Sequence, residues 1–230
     1  MTVSLGRVVA IVPAKGHSAR LPGKNLLPFG DATMIGRKVR QLVAVDAIDE
    51  VVVGTDSDRI AFEAEAYGAT VRPRDAYHCD ESRCPANDMI RNLAAMVEAD
   101  TVLWAHCTNP LVSSARYADA LAAYAADDAC DSLCSVTADT RHAWFVGDPL
   151  NFDPWAGPHP LASGLPPVHH QNGAIFVQPH RQMLDNAYFY GRRPLLYPLP
   201  WTAAVDIDTR DDYRAALALQ RPAAEAACPS

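Results

Sequence analysis

The 230-residue sequence has no excess of positive charge: 20 lysines and arginines stand against 27 aspartates and glutamates, a formal net charge of −7. This argues against nucleic acid or an anionic membrane surface as the main partner, so any anionic ligand has to be captured by a local basic pocket. No stretch approaches the roughly 18 uninterrupted apolar residues of a membrane span. The opening MTVSLGRVVAIVP also lacks the basic leader and small-residue cleavage site of a secretory signal. The expectation is a soluble cytoplasmic protein. Cysteine is sparse and unpatterned: Cys79, Cys84, Cys107, Cys130, Cys134 and Cys228 include no CxxC pair, and no second pair accompanies Cys130 and Cys134 at zinc spacing. Reduced thiols follow. Two nucleotide fingerprints are missing as well. There is no GxGxxG, and six residues separate Gly16 from Gly23–Lys24, with Asn25 next, where a Walker A loop needs four and then Ser or Thr.

What is present is enough apolar material for a sizeable core, with 49% hydrophobic and 20% charged residues, and the chain is read as one domain over 1–230. Short β-branched runs alternate with helical periodicity. RVVAIVP, EVVVG, a strand near Thr70 to Arg72, TVLWA and SLCSVT are separated by predicted helices at Thr33–Asp46, after Asp56, near Ala86–Glu98 and at about Ser114–Ala126. This order predicts an α/β fold, a mostly parallel Rossmann-like sheet flanked by helices.

The alternation stops after Asp139. Ten of the eighteen prolines lie between Pro149 and Pro200, among several tryptophans and phenylalanines. The excursion at about 141–170 is either a dimerisation arm or a lid. The chain returns through GAIFVQ, a short helix, PLLYPLP, and AAVDID, read as a strand running into a helix capped near Thr209. The tail RPAAEAACPS is low in complexity and expected to fray.

The loop PAKGHSARLPGKN leaves the first strand where open α/β sheets bind ligands. It carries Lys15, Arg20 and Lys24 with Gly16, Gly23 and Ser18, a composition suited to an anion, and the backbone N–H groups at 16–18 offer a nest.

The motif strand-PAxGxSxRLPGKN resembles the N-terminal signature of the cytidylyltransferases typified by CMP-N-acylneuraminate and CMP-3-deoxy-octulosonate synthetases. VVVGTDSDRIAFEAEAYGATVRPR, LWAHCTNPLVS, QNGAIF and DIDTRDDYRAA follow in the same order. The resemblance implies a nucleotide-diphospho-sugar-transferase-like fold, a homodimer built through the irregular arm, CTP as substrate and Mg²⁺ as cofactor. It puts Lys24 and Asn25 on the family's KN pair, with Lys15 where the family usually has Arg. Arg72 matches an Arg-Pro, facing the nucleotide or forming a surface ion pair. Ser82 aligns with an offset of about one residue as a base contact.

Asp206 and Asp208 alternate by two, so in an extended segment both carboxylates face one side and can share a divalent ion; alternatively Asp208 or Thr209 caps the following helix. Asp56 is a helix cap or a ligand contact. Gln171 and Asn172 offer amides to a polar acceptor, or a turn asparagine opens a strand. His106 stands near the family's glutamine, Asn109 lies in the TNP turn, and both are expected on the acceptor side. His169 and His170 are possible acid or base groups, and no general base is assigned. Ala19 replaces a frequent lysine, and Ala162, Ser163 and Gly164 stand where sialic-acid enzymes carry an Arg-Gln type pair. The expected reaction is CMP transfer from CTP with pyrophosphate release. A small phosphonate is the leading acceptor, and nonulosonic or octulosonic acids the alternative. A non-catalytic nucleotide sensor has no need of the paired aspartates.

Overall fold

The computed structural model describes residues 4–220. The tail at 221–230, including Cys228, lies outside the described residues, and the five described cysteines are unpaired.

Strand β1 (Val8–Pro13) is buried along nearly its whole length in the interior of the sheet. It pairs in parallel with β2 (Glu50–Thr55) on one side and with β4 (Thr101–Trp104) on the other, and β2 pairs in parallel with β3 (Thr70–Pro73). Helices α1 (Met34–Val43), α2 (Asp58–Ala66), α3 (Ala86–Ala94) and α4 (Ser114–Ala126) supply the connections. The Thr33 hydroxyl accepts the Gly36 N–H and starts α1 where the sequence predicts.

Alternation along β1 divides the core. Val8, Ala10 and Val12 pack with Ile35, Val39, Ile60, Tyr117 and Leu121 of α1, α2 and α4. Val9 and Ile11 face Ile90 and Leu93 of α3 and Met183 of α5 (His180–Asn186) on the other side.

The sheet departs from the predicted pattern in its second half. β6 (Val168–Pro179) runs antiparallel between β4 and β5 (Ser132–Asp139), giving the order β7-β5-β6-β4-β1-β2-β3, with β7 (Pro194–Pro198) parallel to β5 at the edge. GAIFVQ is only the buried end of β6; its other end reaches out to the excursion. There, Trp144–Phe145 pairs with Asp148–Pro149 in a short hairpin, and Trp144, Phe145, Val146, Trp155 and Leu161 are exposed.

AAVDID is a second correction. Residues 205–208 follow a turn at 200–204 and join no ladder, and the segment is docked by the Ile207 N–H on the Thr108 carbonyl at 2.8 Å. A small third cluster, Leu21, Phe29, Met34, Ile207 and Ala216, packs it against the basic loop, the start of α1 and α6 (Arg210–Gln220).

Candidate active site

A cleft of about 350 Å³ opens at the carboxyl end of β1, lined by the basic loop, the segments after β3 and β4, and residues 206 and 208. The loop is shaped by Gly23, whose φ of 65° puts it in the left-handed region ahead of a 3₁₀ turn at Lys24–Leu26. Asn25 is buried, and its Nδ2 donates to the Lys15 carbonyl at 2.9 Å, which ties the two ends of the loop together.

Three cations of the loop reach the cleft. Lys24 Nζ lies 3.0 Å from Asp208 Oδ1, Arg20 lies 2.9 Å from Asp208 Oδ2, and Lys15 pairs with Glu81 at 2.8 Å. Ser18 also lines the cleft. Gly16 does not present a free amide: its N–H donates to Asp56 Oδ1 at 2.6 Å, so the nest expected at 16–18 has one donor already taken. The same contact gives Asp56 its role, since it braces the loop rather than capping α2.

Asp206 and Asp208 both line the cleft, with Ile207 between them buried in the third cluster. Helix α6 is capped by a reciprocal pair. Asp212 Oδ2 accepts the Thr209 N–H at 2.8 Å, and the Thr209 hydroxyl accepts the Asp212 N–H at 3.2 Å. The Asp208 carboxylate is therefore not the cap. The Asp206 carboxylate is exposed and makes no hydrogen bond or ion pair with another described residue.

Several residues expected at the site are placed elsewhere. Arg72 donates to the Met96 carbonyl at 3.1 Å, in a cleft with Arg7, Glu50 and Asp100 near the starts of the strands. The strand ends at Pro73, and the arginine that reaches the cleft is Arg74, just past its carboxyl end. It is 6% exposed, it lines the cleft, and its Nε has no partner. Sequence reading missed Arg74, although VRPR carries both arginines in strand period. Ser82 spends its N–H and hydroxyl on Asp80 Oδ1 at 3.0 and 2.6 Å, in an exposed turn.

On the acceptor side, Asn109 is fully buried and its Nδ2 donates to the carbonyls of Asn172, Ala204 and Val205 at 3.3 to 3.5 Å. Asn172 is equally committed: Oδ1 accepts from the Ser135 hydroxyl at 2.6 Å, and Nδ2 donates to Thr137 Oγ1 at 3.2 Å. These bonds hold a β-bulge between Gln171 and Phe176, where Gly173 has φ 71°. Gln171 accepts from the Tyr190 hydroxyl at 3.1 Å. The amides of QNG thus build the wall and are not turned into the cleft.

His106 does line it, but both ring nitrogens are used. The Trp104 indole N–H donates to Nε2 at 3.1 Å, which leaves Nδ1 to donate to the Gly173 carbonyl at 2.7 Å. Burial holds its pKa below the usual histidine value, which keeps the ring neutral. His169 and His170 are exposed on the outer part of β6. The cleft thiols are not activated, because burial pushes Cys79 up and Cys107 up to about 12.

Residues 9–143 match the sequence model of the cytidylyltransferase family. The chain belongs to that family. An N-acylneuraminate cytidylyltransferase of Escherichia coli is 24% identical over 94% of this chain and 52% of its own length. A 3-deoxy-manno-octulosonate cytidylyltransferase of Geobacter metallireducens is 30% identical over 53% of this chain and 46% of its own. The chain thus spans about half the length of these two relatives. A CMP-N,N'-diacetyllegionaminic acid synthase of Legionella pneumophila is 26% identical over 90% of this chain and 93% of its own length. Among solved structures, a CMP:2-keto-3-deoxy-manno-octonic acid synthetase complexed with CTP superposes with a TM-score of 0.65 at 18% identity, covering 93% of this chain and 98% of that one. The likeness places the fold with the cytidylyltransferases.

Proposed function

We propose that this cytidylyltransferase transfers CMP from CTP to an anionic acceptor with release of pyrophosphate. The observation that carries the reading is the facing of a three-cation loop, Lys15, Arg20 and Lys24, by two carboxylates, Asp206 and Asp208, across one cleft at the end of β1. In-line displacement at the α-phosphorus needs a triphosphate neutralised, an attacking oxygen oriented and a departing pyrophosphate stabilised. Lys24 and Arg20 are within reach of a polyphosphate entering the cleft. Arg74, with its unpartnered Nε, is the donor for the nucleotide's polar edge.

The donor set fits Mg²⁺. Asp206 and Asp208 are hard oxygen ligands, and no group of three His, Cys, Asp or Glu side chains suited to a metal occurs among the described residues. A two-carboxylate site completed by phosphate and water suits an ion that keeps several waters. Bound there, Mg²⁺ would supply Lewis-acid polarisation of the phosphoryl oxygens.

The acceptor we favour is a small phosphonate. Its oxygen is ionised at neutral pH and attacks without losing a proton, and His106, with both nitrogens committed, offers no base. The excursion at 141–170 contains one lysine or arginine, Arg141, and its guanidinium is held by Asp139 at 2.6 Å. Ala162–Gly164 forms a short turn with no cation. The alternative is a nonulosonic or octulosonic acid, the acceptor class in the names of the relatives. Its attacking hydroxyl would draw on His78, a cleft residue whose Nδ1 faces Asp75 at 2.9 Å.

We also propose that the excursion is a dimerisation arm, supported by its exposed Trp144, Phe145, Trp155 and Leu161. Light scattering at micromolar concentration is expected to give a dimer, and a monomer would remove the arm's role. The reaction is tested by pyrophosphate release from each of the four ribonucleoside triphosphates. The acceptor panel is N-acetylneuraminate, a deoxy-octulosonate, 2-aminoethylphosphonate, hydroxyethylphosphonate and phosphonoformate. Turnover with CTP and a phosphonate is expected; turnover of a sugar acid alone would select the alternative, and binding of CTP without any turnover would indicate a sensor.

A further inference from the structure

Lys38 is fully buried, which is unusual for a lysine, and no carboxylate among the described residues pairs with it. It sits mid-way along α1, and Nζ donates to the Asn109 carbonyl at 2.9 Å and bonds the Tyr117 hydroxyl. A lone buried cation is costly, so this position would favour an apolar residue if packing were its only role.

The groups it holds lead to the site. Asn109 lies in the turn after β4, and its side chain is the one that reaches the carbonyls of Ala204 and Val205, immediately ahead of Asp206. With three carbonyls around Nδ2 the amide's orientation is fixed, and Oδ1 has no partner. One residue earlier, the Thr108 carbonyl accepts the Ile207 N–H between the two aspartates. The backbone that carries both carboxylates therefore hangs on the 108–109 turn, and that turn hangs on Lys38.

We propose that Lys38 is a positioning residue, a buried amine that registers the 108–109 turn and through it the Asp206–Asp208 segment against α1. It touches neither nucleotide nor acceptor. Its grip does not depend on charge: as an ammonium it donates to both oxygens, and as a neutral amine it still donates to Asn109 while accepting the Tyr117 hydroxyl proton. Burial lowers its pKa to about 7, with the Cys107 thiol opposing the shift and the Arg37 charge adding to it, which is consistent with both states occurring near neutrality. Other contacts from α1 to this turn, from Arg37 and Gln41, end on the Pro110 carbonyl and leave Asn109 to Lys38.

The test is Lys38→Met, which keeps the volume and removes the donor, with Tyr117→Phe as the second variant. Amide hydrogen exchange at Ile207 reads the linkage directly. Exchange is expected to be on the order of tenfold faster in Lys38→Met, with β1 and β2 amides unchanged and melting temperature equal to or above wild type. Tyr117→Phe should give a smaller shift in the same direction, and it decides the matter if Lys38→Met does not fold. Exchange at Ile207 within about twofold of wild type in a folded Lys38→Met would overturn the proposal. So would a shift spread evenly over the sheet, which marks general loosening. The catalytic consequence rests on the cytidylyl-transfer reading: kcat should fall about tenfold with KM for CTP little changed. Wild type inactive on every acceptor would defeat that reading, while the exchange result would still decide the linkage.

Discussion

Lys24 Nζ and Asp208 Oδ1, 184 residues apart in sequence, lie 3.0 Å from each other in the cleft. Arg20 holds the other oxygen of the same carboxylate at 2.9 Å. Asp208 therefore engages both cations that the proposed reaction assigns to a polyphosphate, and in that reading a triphosphate has to compete with it.

Asp208→Asn separates two roles of this carboxylate. Pyrophosphate release should fall to background if Asp208 holds the divalent ion as proposed, because the variant exchanges a charged ligand oxygen for a neutral amide. Calorimetric titration with CTP in the absence of metal should show affinity equal to or higher than wild type, since Lys24 and Arg20 are released. Near-wild-type turnover in the variant would remove Asp208 from the chemistry.

Lys24→Ala should act in the opposite direction on binding. Loss of one charge-assisted contact is worth about 1.5 to 3 kcal/mol, roughly one to two orders of magnitude in CTP affinity. Arg20 is more exposed than Lys24, so the same truncation there should cost less. Equal titration curves for Lys24→Ala and wild type would count against the phosphate role.

Arg74→Ala removes a buried guanidinium with a free Nε, and Arg74→Lys keeps the charge but not the planar fork. Both should weaken CTP binding by about tenfold or more, a charge-assisted contact's worth. Arg72→Ala should leave it unchanged, since Arg72 is bonded to Met96 at the other end of the sheet. The three variants titrated side by side with CTP test which arginine faces the nucleotide.

The alternation of buried strands and amphipathic helices up to Asp139 was legible because each βα connection is local. The Thr33 cap and the β1 core run carry their own signals. The same held for the DID spacing, since both carboxylates line the cleft even without a ladder. What the chain pattern hid was long-range. Arg72 and Arg74 are equivalent as residue types, and only where β3 ends and what packs beside it set them apart: Arg72 is held within the strand by the Met96 carbonyl, and Arg74 lies past the strand end in the cleft. Asn109 and Asn172 read as amides free for an acceptor, whereas the bulge in β6 consumes them. The antiparallel course of β6 was not legible, since GAIFVQ is a short apolar run that either direction would bury.

Lys38 gives a pH signature in stability. Its value in the folded chain is about 7, below the ordinary 10.5, so between those values the unfolded chain holds a proton that the folded chain does not. Stability then rises with pH across that window, and the cost of burying the charge is fully present below about 7. Thermal denaturation of wild type and Lys38→Met should show the variant's advantage greatest near pH 6.5 and shrinking toward about pH 10. A constant difference would mean that Lys38 does not titrate in this range.

The edge strand β7 carries Pro194 and Pro198 in register with Ser132 and Val136 of β5. The Leu199 N–H turns inward to the Val136 carbonyl, so by alternation residues 194, 196 and 198 face away from the sheet. Two of those three have no N–H, which leaves Leu196 as the outward donor of the strand. A neighbouring chain laid along this margin would find too few donors to zip up a continuous ladder, so runaway stacking of copies, as in fibril growth, is blocked on this flank. A copy that meets this margin therefore has to do so through side chains, not through a shared ladder.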